Sequence, residues 1–255
     1  MIAAAAPGGA AARRRVVVTG GGRGIGRAIS ERFLAAGDDV VVLQRSEPEA
    51  SLLEAVAAAG GTVTHVPIDL ASEDSIAAAA ARVLADGPVH VLVNNAGVQD
   101  RHPAEEFPLA AFDAVMDVNL RAVFQLSQAL GAHMLEAGGG KIVNLASLLS
   151  FQGGLRVPAY AASKGAVALL TKALCNEWAG RGVNVNAVAP GYVDTEMNAA
   201  LQADPERREQ ISVRIPAGRW ARPEDIAGAV HFLASPEADY IHGVVLPVDG
   251  GWLAR

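Results

Sequence analysis

Residues 15–37 read RVVVTGGGRGIGRAISERFLAAG, and this stretch decides the fold. Val16 to Val18 are consecutive β-branched residues, the composition of a short buried strand. A glycine-rich run from Thr19 to Gly26 follows at once, and the apolar residues of RAISERFLAAG then recur at helical spacing. The order is strand, tight turn, helix. Backbone amides at such a helix start point outward at an anion, and glycines let a pyrophosphate approach the chain closely. The glycines that count are Gly20, Gly24 and Gly26, spaced G-x-x-x-G-x-G, a departure from the G-x-G-x-x-G dinucleotide fingerprint.

Working outward, a second strand over Val40–Leu43 ends in Gln44-Arg45-Ser46, where such folds place an acid for the adenosine ribose 2′-hydroxyl. No acid stands there. Gln44 can still hydrogen-bond a ribose, and Arg45 with Arg23 can pair with a 2′-phosphate, which favours NADP over NAD. The pattern then repeats. An alanine-rich helix leads to a strand over Thr62–Pro67 ending Ile68-Asp69-Leu70; a helix from about Ser72 and a strand over Val89–Val93 follow. Alternating strands and helices imply a doubly wound, Rossmann-type α/β sheet of about seven parallel strands, with ligands at the carboxyl edge. Asp69, Asn94 and Gly97 fall on that edge, with a helix cap as the competing reading of Asp69. Residues 107–137 read as mostly helical and contain Asn119. A strand over Val183–Ala189 leads into Pro190-Gly191, residues 192–222 read as a polar, lid-like insertion, and a last strand spans Val244–Val248.

The chemistry concentrates in residues 144–174, NLASLLSFQGGLRVPAYAASKGAVALLTKAL. Tyr160 and Lys164 are four apart in a helical pattern and share one face. A free tyrosine has a pKa near ~10, and an adjacent ammonium favours the phenolate, so the pair can exchange a proton with an alcohol or carbonyl. Ser147 ends a strand-like run, and its hydroxyl, both donor and acceptor, can hold the substrate oxygen. Taken alone, Tyr-x-x-x-Lys is an ordinary helix-surface pair; its meaning depends on the company it keeps.

Composition narrows the classes further. The 255 residues suit one α/β domain over residues 15–255, with residues 1–14 as a disordered leader. A net charge of −6, with no basic block beyond Arg13–Arg15, argues against nucleic acid. No apolar run is long enough to span a membrane, and the leader lacks the layout of a secretory signal, so a cytoplasmic protein is expected. The single cysteine, Cys175, reads as a small buried hydrophobe.

Together, TGGGRGIG, NNAG, a serine thirteen residues before Tyr-x-x-x-Lys, and PG-x-x-x-T resemble the short-chain dehydrogenase/reductase family from about Arg15 onward. The resemblance implies a catalytic set of Ser147, Tyr160, Lys164 and Asn119, the last supporting a proton relay through water to the lysine. It implies Gly20, Arg23, Gly24, Ile25 and Gly26 along the pyrophosphate and adenosine, Asp69 and Leu70 at the adenine, and Asn94, Ala96 and Gly97 at the adjoining ribose. Tyr160 and Lys164 would meet the nicotinamide ribose, and Pro190, Gly191, Val193 and Thr195 the carboxamide side. A homotetramer and an NADP or NAD cofactor are also implied. A closer likeness, in ASLLSFQGGLRVPAYAASK, NEWAGRGVNVNAVAPGY, RIPAGRWARPEDI and VDGGWLAR, points to family members that act on keto sugar acids. Such a substrate needs a carboxylate partner, for which Arg101 and Arg156 are the candidates, with Gln152 and Trp252 as lesser contacts. The alternatives are a 3-oxoacyl carrier-protein or general carbonyl reductase, marked by Arg207 and Arg208, and a non-catalytic dinucleotide sensor.

Overall fold

The computed structural model describes residues 13–49, 51–52 and 61–255. Its strands are β1 (Arg15–Thr19), β2 (Asp39–Gln44), β3 (Val63–Pro67), β4 (Val91–Asn94), β5 (Gly140–Leu145), β6 (Val183–Pro190) and β7 (Val245–Val248). They form one parallel sheet in the order β3-β2-β1-β4-β5-β6-β7. The helices are α1 (Gly24–Ala35), α2 (Glu73–Ala85), α3 (Leu109–Met116), α4 (Ala122–Ala137), α5 (Pro158–Trp178), α6 (Ala199–Ala203), α7 (Pro205–Ser212) and α8 (Pro223–Leu233). The alanine-rich helix expected after β2 falls mainly on residues 50 and 53–60, and most of the expected leader on 1–12, outside the described residues.

Strand periodicity divides the core into two layers. Val16, Val18, Val40 and Val42 face Ile29 and Phe33 of α1 and Ile226 and Val230 of α8. Val17, Val41, Leu43 and Leu92 face the opposite way, onto Ile76 and Val83 of α2 and Leu126 and Leu130 of α4. Both faces of the central strands are therefore covered, which is why they are nearly continuous valine. Truncating a fully buried side chain such as Phe33 to alanine costs about 3–5 kcal/mol.

The chain winds from β1 outward to β3, then returns to β4 and winds the other way, so the crevice opens at the carboxyl ends of β1 and β4. Gly20 turns there with φ +63°, and a Cβ on Gly26 would collide with the Gly20 carbonyl.

Two readings are corrected. Ser72, not Asp69, caps α2: its side chain accepts from the Ser75 N–H, while the Asp69 carboxylate accepts from the Ala71 N–H at 3.0 Å in a local turn. Arg14 does not trail as leader. Its guanidinium holds Asp38 at 2.7 and 2.9 Å and donates to the Ala234 carbonyl at 2.8 Å. The region 107–137 is mostly helical as expected, and a π turn over Asp117–Arg121 joins its two α-helical parts and carries Asn119.

Candidate active site

The site forms where β5 leaves the sheet. Ser147 begins a 3-10 turn over Leu148–Ser150, and its hydroxyl accepts from the Leu149 N–H at 3.1 Å. Ser150 accepts from the Ser147 N–H at 3.3 Å and donates to the Lys164 carbonyl at 2.7 Å, tying this turn to α5. Proline at the first position of α5 suits a helix start, where its missing N–H costs nothing. Tyr160 and Lys164 then lie one turn apart, the lysine nitrogen 5.7 Å from the phenol ring centre.

Lys164 is 3% exposed and donates to the Leu145 carbonyl at 2.6 Å. An ammonium has three donors, so two N–H directions remain without a protein partner among the described residues. Burial lowers its pKa to about 8. Burial also raises the Tyr160 pKa; the Ser147 hydroxyl and the Arg101 charge act the other way without reversing it. The expected lowering of the phenol by Lys164 is thus not the net result in the chain alone: desolvation wins, and it weakens the lysine's own charge as well.

Asn119 is buried. Its carbonyl accepts from the Val98 N–H at 2.8 Å, and its amide donates to the Val98 carbonyl at 2.8 Å and to Ser163 at 3.1 Å. Ser163 in turn donates to the Tyr160 carbonyl at 2.8 Å. Both amide hydrogens are therefore committed, and the side chain clamps the NNAG loop onto α5 rather than standing free. A Cβ on Gly97 would sit 3.3 Å from the Asn119 carbonyl oxygen and 3.4 Å from the Lys164 nitrogen, so the loop passes directly over the pair.

Along the crevice, the start of α1 has no side-chain cap and no acid in its first turn, whereas α2 has both Ser72 and two acids. Uncapped amides at a glycine-rich helix start fit a pyrophosphate. Gln44 does not reach outward: it accepts from the Gly22 N–H at 2.8 Å and donates to the Ser46 carbonyl at 2.8 Å. Arg23 lies 3.4 Å from Glu196, both exposed, while Arg45 is exposed with no ion pair among the described residues. Asp69 is exposed at the edge, and Leu70 packs partly on the core. The Asn94 side chain, 2% exposed, is turned into the sheet and donates to Ser127 at 3.1 Å and Asn144 at 2.9 Å, leaving only its backbone for the crevice. Thr195 lies across from Gly24, Val193 is buried and bridges to Ala221, and Gly191 closes on Asp249.

Of the substrate candidates, Arg101 and Arg156 are exposed on adjoining loops, joined by the His102 N–H donating to the Arg156 carbonyl at 3.1 Å. Arg101 favours the phenolates of both Tyr160 and Tyr192. Gln152 is half-buried and makes no side-chain hydrogen bond among the described residues. Among the described residues, no cluster of histidine, cysteine and carboxylate side chains could hold a metal, and no helix is long and apolar enough to cross a membrane.

Residues 20–253 match the family model described as enoyl-(acyl carrier protein) reductase. The chain belongs to the short-chain dehydrogenase/reductase family. Within that family, the 2-dehydro-3-deoxy-D-gluconate 5-dehydrogenase of Bacillus subtilis is 45% identical over 234 residues, 92% of each chain. A candidate NAD(P)-dependent gluconate 5-dehydrogenase from Beutenbergia cavernae, with NADP bound at low occupancy, is 53% identical with a TM-score of 0.91, covering 95% of this chain and 97% of that one. A gluconate 5-dehydrogenase from Burkholderia cenocepacia, in complex with NADP and tartrate, is 39% identical with a TM-score of 0.90, covering 95% and 96%.

Sequence reasoning missed several residues of this short-chain dehydrogenase/reductase site. Asn95, rather than Asn94, holds the glycine turn, donating to the Thr19 carbonyl at 2.9 Å, and Thr19 accepts from the Asn95 and Ala96 N–H groups at 2.9 Å. Ser163 and Asn144 are internal links. Strand alternation was the available signal: Leu92 faces the layer of α2 and α4, so Asn94, two residues on, faces the same way, and Asn95 follows where the strand ends.

Proposed function

We propose that this enzyme transfers a hydride between nicotinamide and the carbinol carbon of a small sugar acid, oxidising the alcohol or reducing the ketone. The observation that carries this reading is the meeting of Ser147, Tyr160 and Lys164 under the NNAG loop, in a chain whose relatives named above are gluconate-type dehydrogenases over more than nine-tenths of its length. When bound, the nicotinamide ring supplies or accepts the hydride, and its oxidised form adds positive charge beside the phenol. Tyr160 gives or takes the proton of the substrate oxygen, which Ser147 holds beside it. Lys164 offers its two unused N–H directions to ribose hydroxyls and, when protonated, favours the phenolate. Asn119 keeps Val98 and α5 in register and supports the proton relay.

The uncapped start of α1, with Gly20, Arg23, Gly24, Ile25 and Gly26, supports binding of NADP or NAD. Arg45 and Arg23 favour NADP through its 2′-phosphate. Gln44 braces the glycine turn, Asp69 and Leu70 border the adenine, and the backbone at Asn94, Ala96 and Gly97 borders the adjoining ribose. Pro190, Gly191, Val193 and Thr195 border the carboxamide. Arg101, Gln152 and Arg156 line the entrance and draw in an anionic substrate, and residues 192–222 act as its lid. A groove of about 320 Å³ lined by Met116, Leu120, Arg121, Leu170 and the exposed Phe124 supports self-association as a homotetramer. The cytoplasm is the proposed location, and neither nucleic acid nor membrane is a proposed partner.

A second reading, reduction of carrier-protein thioesters, is favoured by the description of the family model and by half-buried Arg207 beside exposed Arg208. A non-catalytic sensor is disfavoured by the intact proton-transfer set. Steady-state NADH and NADPH consumption against 5-keto sugar acids, 3-oxoacyl thioesters and simple ketones separates the readings. Turnover confined to keto sugar acids, and lost in Tyr160→Phe with cofactor affinity kept, is expected. Preference for thioesters would replace the substrate assignment, and no turnover of any of them would remove the catalytic one.

A further inference from the structure

Beyond Ser147 and Tyr160, an aromatic wall stands beside the site. Tyr192 packs on Trp220 and Trp252 with ring centres 5.3 and 4.9 Å apart, and this cluster includes Leu148 and Leu149, immediately after Ser147. The Arg214 guanidinium lies over the Trp252 ring at 3.9 Å. Stacking occupies the flat face of a guanidinium and leaves its edge donors free, the arrangement that presents a fork to a carboxylate. Among the described residues, Arg214 makes no side-chain hydrogen bond and no ion pair.

Two further observations mark this wall as a receptor. The Trp252 indole N–H is buried without an acceptor among the described residues, and a buried donor left without one is destabilising. Trp252 is also fixed within its own chain, not directed away from it. Asp249 accepts from the Gly251 and Leu253 N–H groups at 2.9 and 3.0 Å, the Ala217 N–H donates to the Gly250 carbonyl at 3.0 Å, and Arg255 donates to the Val213 carbonyl at 3.2 Å. Residues 249–255 are thus fastened along 213–217, which holds Arg214 in place before any ligand binds. The field of Arg214 reaches the Tyr192 phenol, as do those of Arg207 and Arg101, and Arg101 also acts on Tyr160.

We propose that Arg214, held flat on Trp252, is the residue that receives the substrate carboxylate, with the Tyr192 hydroxyl contacting the sugar chain between it and Ser147. Arg101 and Arg156 attract the anion to the entrance; Arg214 seats it. Trp252 is a positioning residue that acts through Arg214. The inference rests on the sugar-acid reading and names the seat of the acid group.

The test compares the full-length enzyme with Arg214→Gln, Arg214→Lys and Trp252→Leu on two substrates: a 5-keto sugar acid and the ketose carrying CH2OH in place of its carboxylate. Arg214→Gln should raise KM for the keto acid roughly 10- to 100-fold, as loss of a charge-assisted pair does, with kcat within about threefold and the ketose unaffected. Arg214→Lys keeps charge without the fork and should fall between, and it carries the test if the glutamine variant does not fold. Trp252→Leu should follow the same pattern, with a further variant, Trp252→Phe, restoring part of the affinity. Equal losses on both substrates, or none, overturn the role of Arg214. If the unaltered enzyme does not prefer the keto acid over the ketose, the sugar-acid reading itself fails and this inference falls with it.

Discussion

Replacing Lys164 with methionine isolates the energetic cost of burying its charge. Methionine is close to lysine in length and carries no charge, and the Lys164 nitrogen has one protein acceptor, the Leu145 carbonyl. Burial lowers the lysine pKa from 10.5 to about 8, a gap worth about 3 kcal/mol. Below about pH 8 the lysine is charged in both folded and unfolded chains, and the full cost is present. Between about 8 and 10.5 the unfolded chain still holds the proton that the folded one has released, so the wild-type stability rises with pH; above that window the cost is gone. The variant has no such dependence. Its loss of the donor to Leu145 costs about 1–3 kcal/mol at every pH and does not alter the slope. Urea unfolding of both proteins without cofactor, at equal concentration from pH 7 to 10, should show wild type gaining about 2–3 kcal/mol on Lys164→Met. A difference that stays flat across this range would refute the reasoning, because it would mean that the native lysine titrates as it does in the unfolded chain.

Two further predictions concern single charges along the crevice. Arg101→Gln removes a charge that favours the Tyr160 phenolate, so the rising limb of kcat/KM for alcohol oxidation should move to higher pH; an unmoved profile would take Arg101 out of that role. Arg45→Gln should lower the preference for NADPH over NADH roughly 10-fold while leaving kcat/KM with NADH unchanged, and equal losses with both cofactors would remove Arg45 from the 2′-phosphate.

Much of this architecture is legible in the chain because its signals are local. Val16–Val18 followed by three glycines can make little else than strand and turn, and four-residue spacing places Tyr160 and Lys164 on one helix face whatever surrounds them. What stayed hidden depends on distant packing. The π turn that carries Asn119 has no compositional mark, and its partners Val98 and Ser163 lie 21 and 44 residues away. Gln44 looks like a ribose ligand by position, yet the Gly22 N–H claims it from 22 residues upstream. The direction of the Tyr160 shift was misjudged for the same reason. A neighbouring lysine is visible in the sequence, but the desolvation that outweighs it is a property of the assembled fold. Trp252, a lesser substrate candidate by sequence position, is 4% exposed, and its packing on Tyr192, 60 residues upstream, is likewise a property of the assembled fold.

Arg156 is the one non-glycine residue with positive φ, +62°, among the described residues. A left-handed conformation costs an ordinary residue roughly 1–2 kcal/mol, which glycine would largely recover. Selection for heat resistance alone would therefore draw this position toward glycine, and in doing so would strip a positive charge from the mouth of the cleft. With Arg156 in its proposed role, thermostability and substrate capture are opposed at this single codon, so a library screened only for survival at high temperature should be counter-screened at low substrate concentration.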